Sequence, residues 1–128
     1  MKILVFGNPA VREDALPLRL LPQLRKAFPE IEFREFDAVE DLEREGGELV
    51  ILDTVQGIKK VKVFDGVESF EESPRYSMHD FDLPVYLKLL KKVGIVRSAT
   101  IIGVPMAGEE AEVLADAEAV IRKMVRDG

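Results

Sequence analysis

A chain of 128 residues with 47% apolar content can bury the core of one domain and is too short to expect a second. Its net charge of -6 disfavours a nucleic-acid backbone or an anionic membrane surface as a partner. With no cysteine, any metal must be held by oxygen and imidazole ligands. No apolar run matches a signal peptide or a membrane span, so we expect a cytoplasmic protein without membrane insertion.

The first quarter of the chain has the pattern of a buried strand followed by a helix. The apolar run Ile3 to Phe6, closed by Gly7-Asn8-Pro9, predicts a strand buried on both faces. Apolar residues then recur at helical spacing from Asp14 to Phe28, with basic residues near the end, and predict the first helix. Pro22 lies inside this pattern, and we expect it to kink or divide the helix.

Three further strands are predicted between residues 31 and 63. Half-alternating apolar residues over 31–36 predict the second strand, and a short helical turn is expected over 39–44. The apolar run Leu49 to Leu52 predicts a third buried strand that ends on Asp53. Valines and lysines alternate over 61–63, as in an exposed edge strand or an antiparallel strand.

The second half of the chain begins with a polar stretch over 65–80 that predicts a long loop, with His79 near its end. A helix is expected over 82–90, a buried strand over 99–104 and a final helix over 109–124. The positions predicted to face the core on the two helices are Leu83, Leu87 and Leu90, then Val113, Ala117, Val120, Ile121 and Met124. The order of elements predicts a single α/β domain over 1–128, a three-layer α/β/α sandwich with a mostly parallel central sheet.

Two carboxylates and the only histidine follow separate strand-like segments of this pattern. Because the loops after parallel strands gather at one edge of the sheet, Asp14, Asp53 and His79 are candidates for one site. Carboxylate and imidazole ligands suit Zn, Ni or Fe in an open site that could polarise a carbonyl or activate water. Thr54, next to Asp53, is a candidate for orienting that carboxylate.

Each of these residues also has a purely structural interpretation. Asp53 could be an N-cap or turn acid for the residues that follow it, and Glu13 or Asp14 could cap the first helix. His79 could be an ordinary solvated loop histidine. Nucleotide binding is not expected, because the chain has neither a dinucleotide fingerprint nor a Walker sequence.

Three segments resemble one known family. Ile3-Leu4-Val5-Phe6-Gly7-Asn8 followed by Asp14, Leu49-Val50-Ile51-Leu52-Asp53, and Ser77-Met78-His79 with Leu83 beyond are similar to motifs of the maturation endopeptidases of nickel-iron hydrogenases. The match spans most of the chain. Two features depart from the family pattern: Pro17 stands where a glycine is usual, and Ala38-Val39-Glu40-Asp41 replaces the Gly-Thr-x-Gly motif after the second strand.

The resemblance implies a phosphorylase/hydrolase-like α/β/α fold and a function. It implies an endopeptidase that removes the C-terminal extension of the nickel-loaded [NiFe] hydrogenase large-subunit precursor. Asp14, Asp53 and His79 would be the catalytic, metal-binding residues, with Glu13 as the adjacent acid of the opening motif. Their metal would be the nickel of the substrate or another divalent transition metal at the same site.

Two other functions are compatible with parts of the sequence. The first is a hydrogenase maturation chaperone of the same fold, which would bind the precursor without cutting it. The second is a receiver-like signalling module, with Asp53 as phosphoacceptor. A receiver needs acids at the end of the first strand, where this chain has Phe6-Gly7, and a lysine after the fifth strand, where it has Gly103-Val104-Pro105.

Overall fold

Strands and helices alternate along the computed structural model, which describes residues 1–7, 15–36, 39–66, 68, 77–78 and 82–127. Glu13, Asp14 and His79 lie outside the described residues. The elements are β1 (Lys2–Val5), α1 (Leu16–Ala27), β2 (Glu32–Glu35), a 3-10 helix (Val39–Arg44), β3 (Glu48–Gln56), β4 (Lys62–Asp65), β5 (Ser77–Met78), α2 (Asp82–Lys92), β6 (Ser98–Val104) and α3 (Glu110–Asp127).

The sheet has the order β2-β1-β3-β6-β4, and β5 pairs with β3 off this path. The neighbours β2, β1, β3 and β6 pair in parallel. β4 pairs antiparallel with β6 at the edge, with Val63 opposite Ile102. The predicted three-layer α/β/α arrangement with a mostly parallel sheet is therefore confirmed, and so is an antiparallel edge strand over the valine and lysine segment.

Each face of the sheet carries its own apolar layer, because successive residues of a strand point to opposite faces. One layer packs α1 and α3 on the sheet and includes Ile3, Val5, Leu52, Ile102, Leu20, Leu24, Ala117 and Ile121. The other packs α2 and the 3-10 helix on the opposite face and includes Leu4, Ile51, Ile101, Leu42, Leu83, Leu87 and Leu90. Burying each of these larger side chains contributes roughly 1.5–3 kcal/mol, so the two layers hold both helix pairs against the sheet.

The first helix differs from its prediction in two ways. Pro22 lies inside α1 but does not divide it, and the helix runs from Leu16 to Ala27. Pro22 is exposed, while Leu20, Leu21 and Leu24 hold the helix against the sheet, so packing of the inner face offsets the lost hydrogen bond. The N-cap residue is Ala15, which has no side-chain oxygen, so neither Glu13 nor Asp14 is the N-cap.

Two of the predicted boundaries around the candidate site are also wrong. β3 does not end on Asp53 but continues to Gln56, and Gly57 follows it with a φ of 95°. The stretch 65–80 is not wholly a loop, because Ser77 and Met78 form β5. Beyond Asp53, β3 pairs first with β6, Thr54 with Val104, and then with β5, Val55 with Met78 and Gln56 with Ser77.

An ion-pair cluster joins the 3-10 helix segment to the opposite end of the sheet. Glu45, just after that helix, accepts hydrogen bonds from Lys2 on β1 and from Arg34 on β2, the latter at 2.6 Å. The hydrogen bond from Lys2 is the largest cause that lowers the pKa of Glu45 below its ordinary value of 4.5, and the charges of Lys2 and Arg34 act in the same direction against partial burial.

Candidate functional site

The strand order places a topological switch point between β1 and β3. The chain leaves β1 through α1 to β2 on one side, and it leaves β3 toward β6 on the other. In open α/β sheets the crevice beyond the carboxyl ends of two such strands is the usual ligand site. Phe6 and Gly7 follow β1 at this position, and Asp53 stands one residue beyond the last β1–β3 pair, Val5 with Leu52.

Asp53 is a buried carboxylate inside a strand. It is 1% exposed and stands in register with Gly103 of β6. It has the same parity as Ile51 and Val55, so its side chain points to the face that α2 covers. The N-cap and turn interpretations of Asp53 are therefore wrong, because no turn or helix begins within the next three residues.

A carboxylate buried inside a strand costs the fold free energy. Burying a charge costs several kcal/mol unless hydrogen bonds, an opposite charge or a metal ion compensate it. Asp and Glu are almost never fully buried without such compensation. Packing alone would favour an apolar residue at position 53, so the carboxylate is a candidate for a functional group.

Thr54 does not orient Asp53. The two residues are neighbours in a strand, so their side chains point to opposite faces of the sheet. Thr54 is fully buried on the face of α1 and α3, and its Oγ1 has no hydrogen-bond partner among the residues that the structure describes. The prediction that Thr54 positions the carboxylate is wrong.

Strand β5 brings the histidine segment to the end of β3. Met78, the residue before His79 in the sequence, pairs with Val55, which is two residues from Asp53. Asp14 precedes Ala15, the buried N-cap residue of α1. Of the predicted trio, Asp53 alone belongs to the described residues, and those residues contain no group of three His, Asp or Glu side chains that could hold a metal.

Two features of the site were not predicted from the sequence. Gly103 is inside β6 rather than at its end, and a Cβ there would lie 2.8 Å from Val55 Cγ2. A glycine within an apolar strand is a known sign that another part of the chain approaches its backbone closely. The β5 pairing had no comparable signal, because a strand of two residues in a polar stretch has no periodicity to detect.

A basic hollow lies next to the end of β3 but does not include Asp53. It measures about 390 Å³ and is lined by residues 57–62 of the loop between β3 and β4. Lys59, Lys60 and Lys62 contribute three positive charges, and all three are exposed. The candidate site is therefore defined by the sheet edge and Asp53, not by this hollow.

Comparisons with known proteins establish the fold class and nothing more specific. Neither a protein-family model nor a curated protein matches the sequence. A crystal structure of an uncharacterized protein from Wolinella succinogenes is similar over 99% of this chain and 96% of its own, with a TM-score of 0.58 and 17% identity. This likeness supports the α/β fold alone. Within the described segments, no helix has the length and hydropathy needed to cross a bilayer.

Proposed function

We propose that this protein is a cytoplasmic endopeptidase that removes the C-terminal extension of a nickel-loaded [NiFe] hydrogenase large-subunit precursor. The observation that carries the proposal is the pairing of β3 with β5. It joins the strand that bears buried Asp53 to the segment that leads directly into His79. The two segments are among those that resemble the hydrogenase maturation endopeptidases, and the switch point is where an α/β fold binds its ligand.

The donor set of the trio fits the proposed metal. Two carboxylates and one imidazole are ligands that nickel, zinc and iron accept. A carboxylate as buried as Asp53 has lost its water shell and gains most from a bound cation. In this proposal nickel belongs to the substrate, and Asp14, Asp53 and His79 complete its coordination shell, so that the nickel-free precursor is held less tightly.

The proposed reaction is hydrolysis of one peptide bond. Water adds to the scissile carbonyl, the C–N bond breaks, and the products are a new C-terminal carboxylate on the large subunit and the amine of the released tail. Carbonyl polarisation by a divalent cation held at the trio is the contribution that a metal would supply. The chain's own residues hold and orient the loaded precursor.

The receiver-like alternative has less support. A receiver needs a lysine after its fifth strand, where this chain has Gly103-Val104-Pro105. Phe6, where a receiver carries its acidic residues, is buried in the layer under α2. The chaperone alternative uses the same residues to bind the precursor. It differs from the endopeptidase only because the precursor is not cut.

Intact-mass analysis of the precursor tests the proposal. A nickel-loaded and a nickel-free precursor are each incubated with the unmodified protein, with Asp53→Asn, with His79→Ala and with Asp116→Asn. Asp116 lies on α3, which packs on the sheet face opposite to Asp53, so it is a matched control. We expect the tail to be lost from the loaded precursor alone, with the unmodified protein and the Asp116 variant but not with the other two.

Two outcomes would change the conclusion. Nickel-dependent binding of the intact precursor without cleavage would favour the chaperone. Cleavage that survives both Asp53→Asn and His79→Ala would refute the assignment of the trio.

A further inference from the structure

Helix α2 has a second apolar face that the core does not use. Leu83, Leu87 and Leu90 are buried against the sheet. Val85, Leu89 and Val93 are 69%, 52% and 60% exposed, and Ile95, just beyond the helix, is 42% exposed. Their spacing of four residues puts Val85, Leu89 and Val93 on one side of the helix, because residues four apart are neighbours on a helix surface. A contiguous exposed apolar row of this kind marks an interaction site.

The charge around this row is opposite to that of the whole chain. Residues 82–97 contain four basic side chains and one carboxylate, although the chain has a net charge of -6. Lys88 and Lys92 lie three residues after Val85 and Leu89, and therefore form one flank of the row. Lys91, at another angle around the helix, forms an ion pair with Glu68 at 2.7 Å, and the charge of Lys88 also acts on the Glu68 carboxylate.

We propose that this row, together with Lys88 and Lys92, is a docking surface for an acidic amphipathic helix of another protein. The proposal does not depend on the proposed protease activity. From Val85 to Val93 the row is about 12 Å long, a little more than two helical turns. A helix with apolar residues at matching spacing could cover it at the usual interaxial distance of about 8–10 Å, with its acidic flank beside the two lysines.

A second copy of this chain is a poorer occupant. Permanent homodimer interfaces bury about 2,000 Å² or more in total, and this row offers four side chains. If two copies of α2 packed antiparallel about a two-fold axis, the same flank of each helix would meet. Lys88 and Lys92 would then face the same lysines of the other copy, and like charges in contact oppose association.

Binding of a synthetic helix tests the surface directly. The probe is a capped peptide of about 16 residues, with leucines on one face and glutamates along both flanks. A second peptide carries lysines in place of the glutamates. Affinity is measured by fluorescence anisotropy, and the contact surface by amide shift changes in nitrogen-15 NMR spectra of the full chain.

We expect the acidic peptide to shift amides within residues 82–97 and the basic peptide to bind at least about tenfold more weakly. The double variant Lys88→Glu, Lys92→Glu should lose about tenfold in affinity for the acidic peptide and gain affinity for the basic one. Leu89→Ser should also lose about tenfold. Val125→Ser, at an exposed apolar position on α3, is the matched control and should bind normally.

Because Leu89 and both lysines are exposed, these variants should keep the fold, and circular dichroism checks that they do. The proposal is wrong if both peptides bind equally, if the shifts lie outside 82–97, or if none appear at about 1 mM peptide. It is also wrong if the protein alone sediments as a dimer that Leu89→Ser dissociates, since the occupant would then be a second copy.

Discussion

Replacing Gly103 by alanine tests how closely β3, β4 and β6 pack beside Asp53. A Cβ at this position would lie 2.8 Å from Val55 Cγ2 and 3.0 Å from Phe64 Cε2. Both side chains are buried, so neither can move away without disturbing the layer under α2. Overpacking of this kind costs about 1–3 kcal/mol, and the lower entropy of the unfolded alanine chain returns about 0.4–1 kcal/mol. We expect a net loss of about 1–2 kcal/mol in the free energy of unfolding.

A double-mutant cycle with Val55→Ala identifies the cause of that loss. Val55→Ala removes the methyl group that the new Cβ would contact, and by itself should cost about 1.5–3 kcal/mol. In that background Gly103→Ala should cost less, because its closest contact is gone and its methyl group refills part of the cavity, although the approach to Phe64 Cε2 remains. Urea denaturation followed by circular dichroism measures all four free energies.

Gly47→Ala is the matched control for this cycle. The three atoms nearest to its Cβ would belong to the exposed side chain of Arg97, with Nε at 3.2 Å, and that side chain can move. The control should therefore lose less than about 0.5 kcal/mol. If Gly103→Ala costs the same in both Val55 backgrounds to within about 0.5 kcal/mol, the contact with Val55 is not the cause and the packing argument fails.

Three further predictions concern charge and backbone. Glu45→Gln should cost about 1 kcal/mol at pH 7, because the hydrogen bond from Lys2 and the charge of Arg34 lower the pKa of Glu45. A lowered pKa stabilises the fold above the unfolded pKa and ceases to do so as the pH falls through the folded pKa. Urea titrations of this variant and the unmodified protein should therefore converge as the pH falls below the ordinary value of 4.5 and through the lower folded pKa; a gap that persists in acid would contradict this. Pro22→Ala should raise the free energy of unfolding by about 1–2 kcal/mol, since it restores a helical hydrogen bond, and a lower guanidinium midpoint would show that the proline is needed. Asp53→Asn keeps the size and shape of the side chain, so a carboxylate needed only to hold a metal should be replaceable with Tm unchanged in thermal scans; a fall of more than roughly 5 °C would assign the carboxylate a structural role.

The sequence predicted those elements whose pattern is local. Continuous apolar runs predicted β1 and β6, and a helical spacing of leucines and small apolar residues predicted α2 and α3. The leucine row Leu83, Leu87 and Leu90 and the positions Val113, Ala117 and Ile121 are buried as predicted. These elements are recognisable because the spacing of their apolar residues matches the periodicity of the helix or strand face that is buried.

Features that depend on distant partners were not predictable in the same way. The last three residues of β3 contain no apolar run, and they are a strand because β6 and then β5 supply hydrogen-bond partners. Pro22 was expected to kink or divide α1, yet the packing of the opposite face keeps the helix undivided. For the candidate site, the sequence predicted Asp53 at the end of β3, whereas Asp53 is buried inside the strand, three residues before its end.

β3 pairs with β6 over a long stretch and with β5 over a short one. The stability of the domain and the integrity of the candidate site therefore depend on different strand pairs. Among the residues that the structure describes, seven pairs join β3 to β6, whereas two join it to β5. Local opening costs less where fewer backbone hydrogen bonds and buried contacts must break, so β5 can detach while the central sheet stays folded. Amides at Val55 and Met78 should then exchange hydrogen faster than those at Ile51 and Ile101. Substitutions in the central layers would change the melting temperature, and substitutions in β5 would change how often the end of β3 is accessible to solvent.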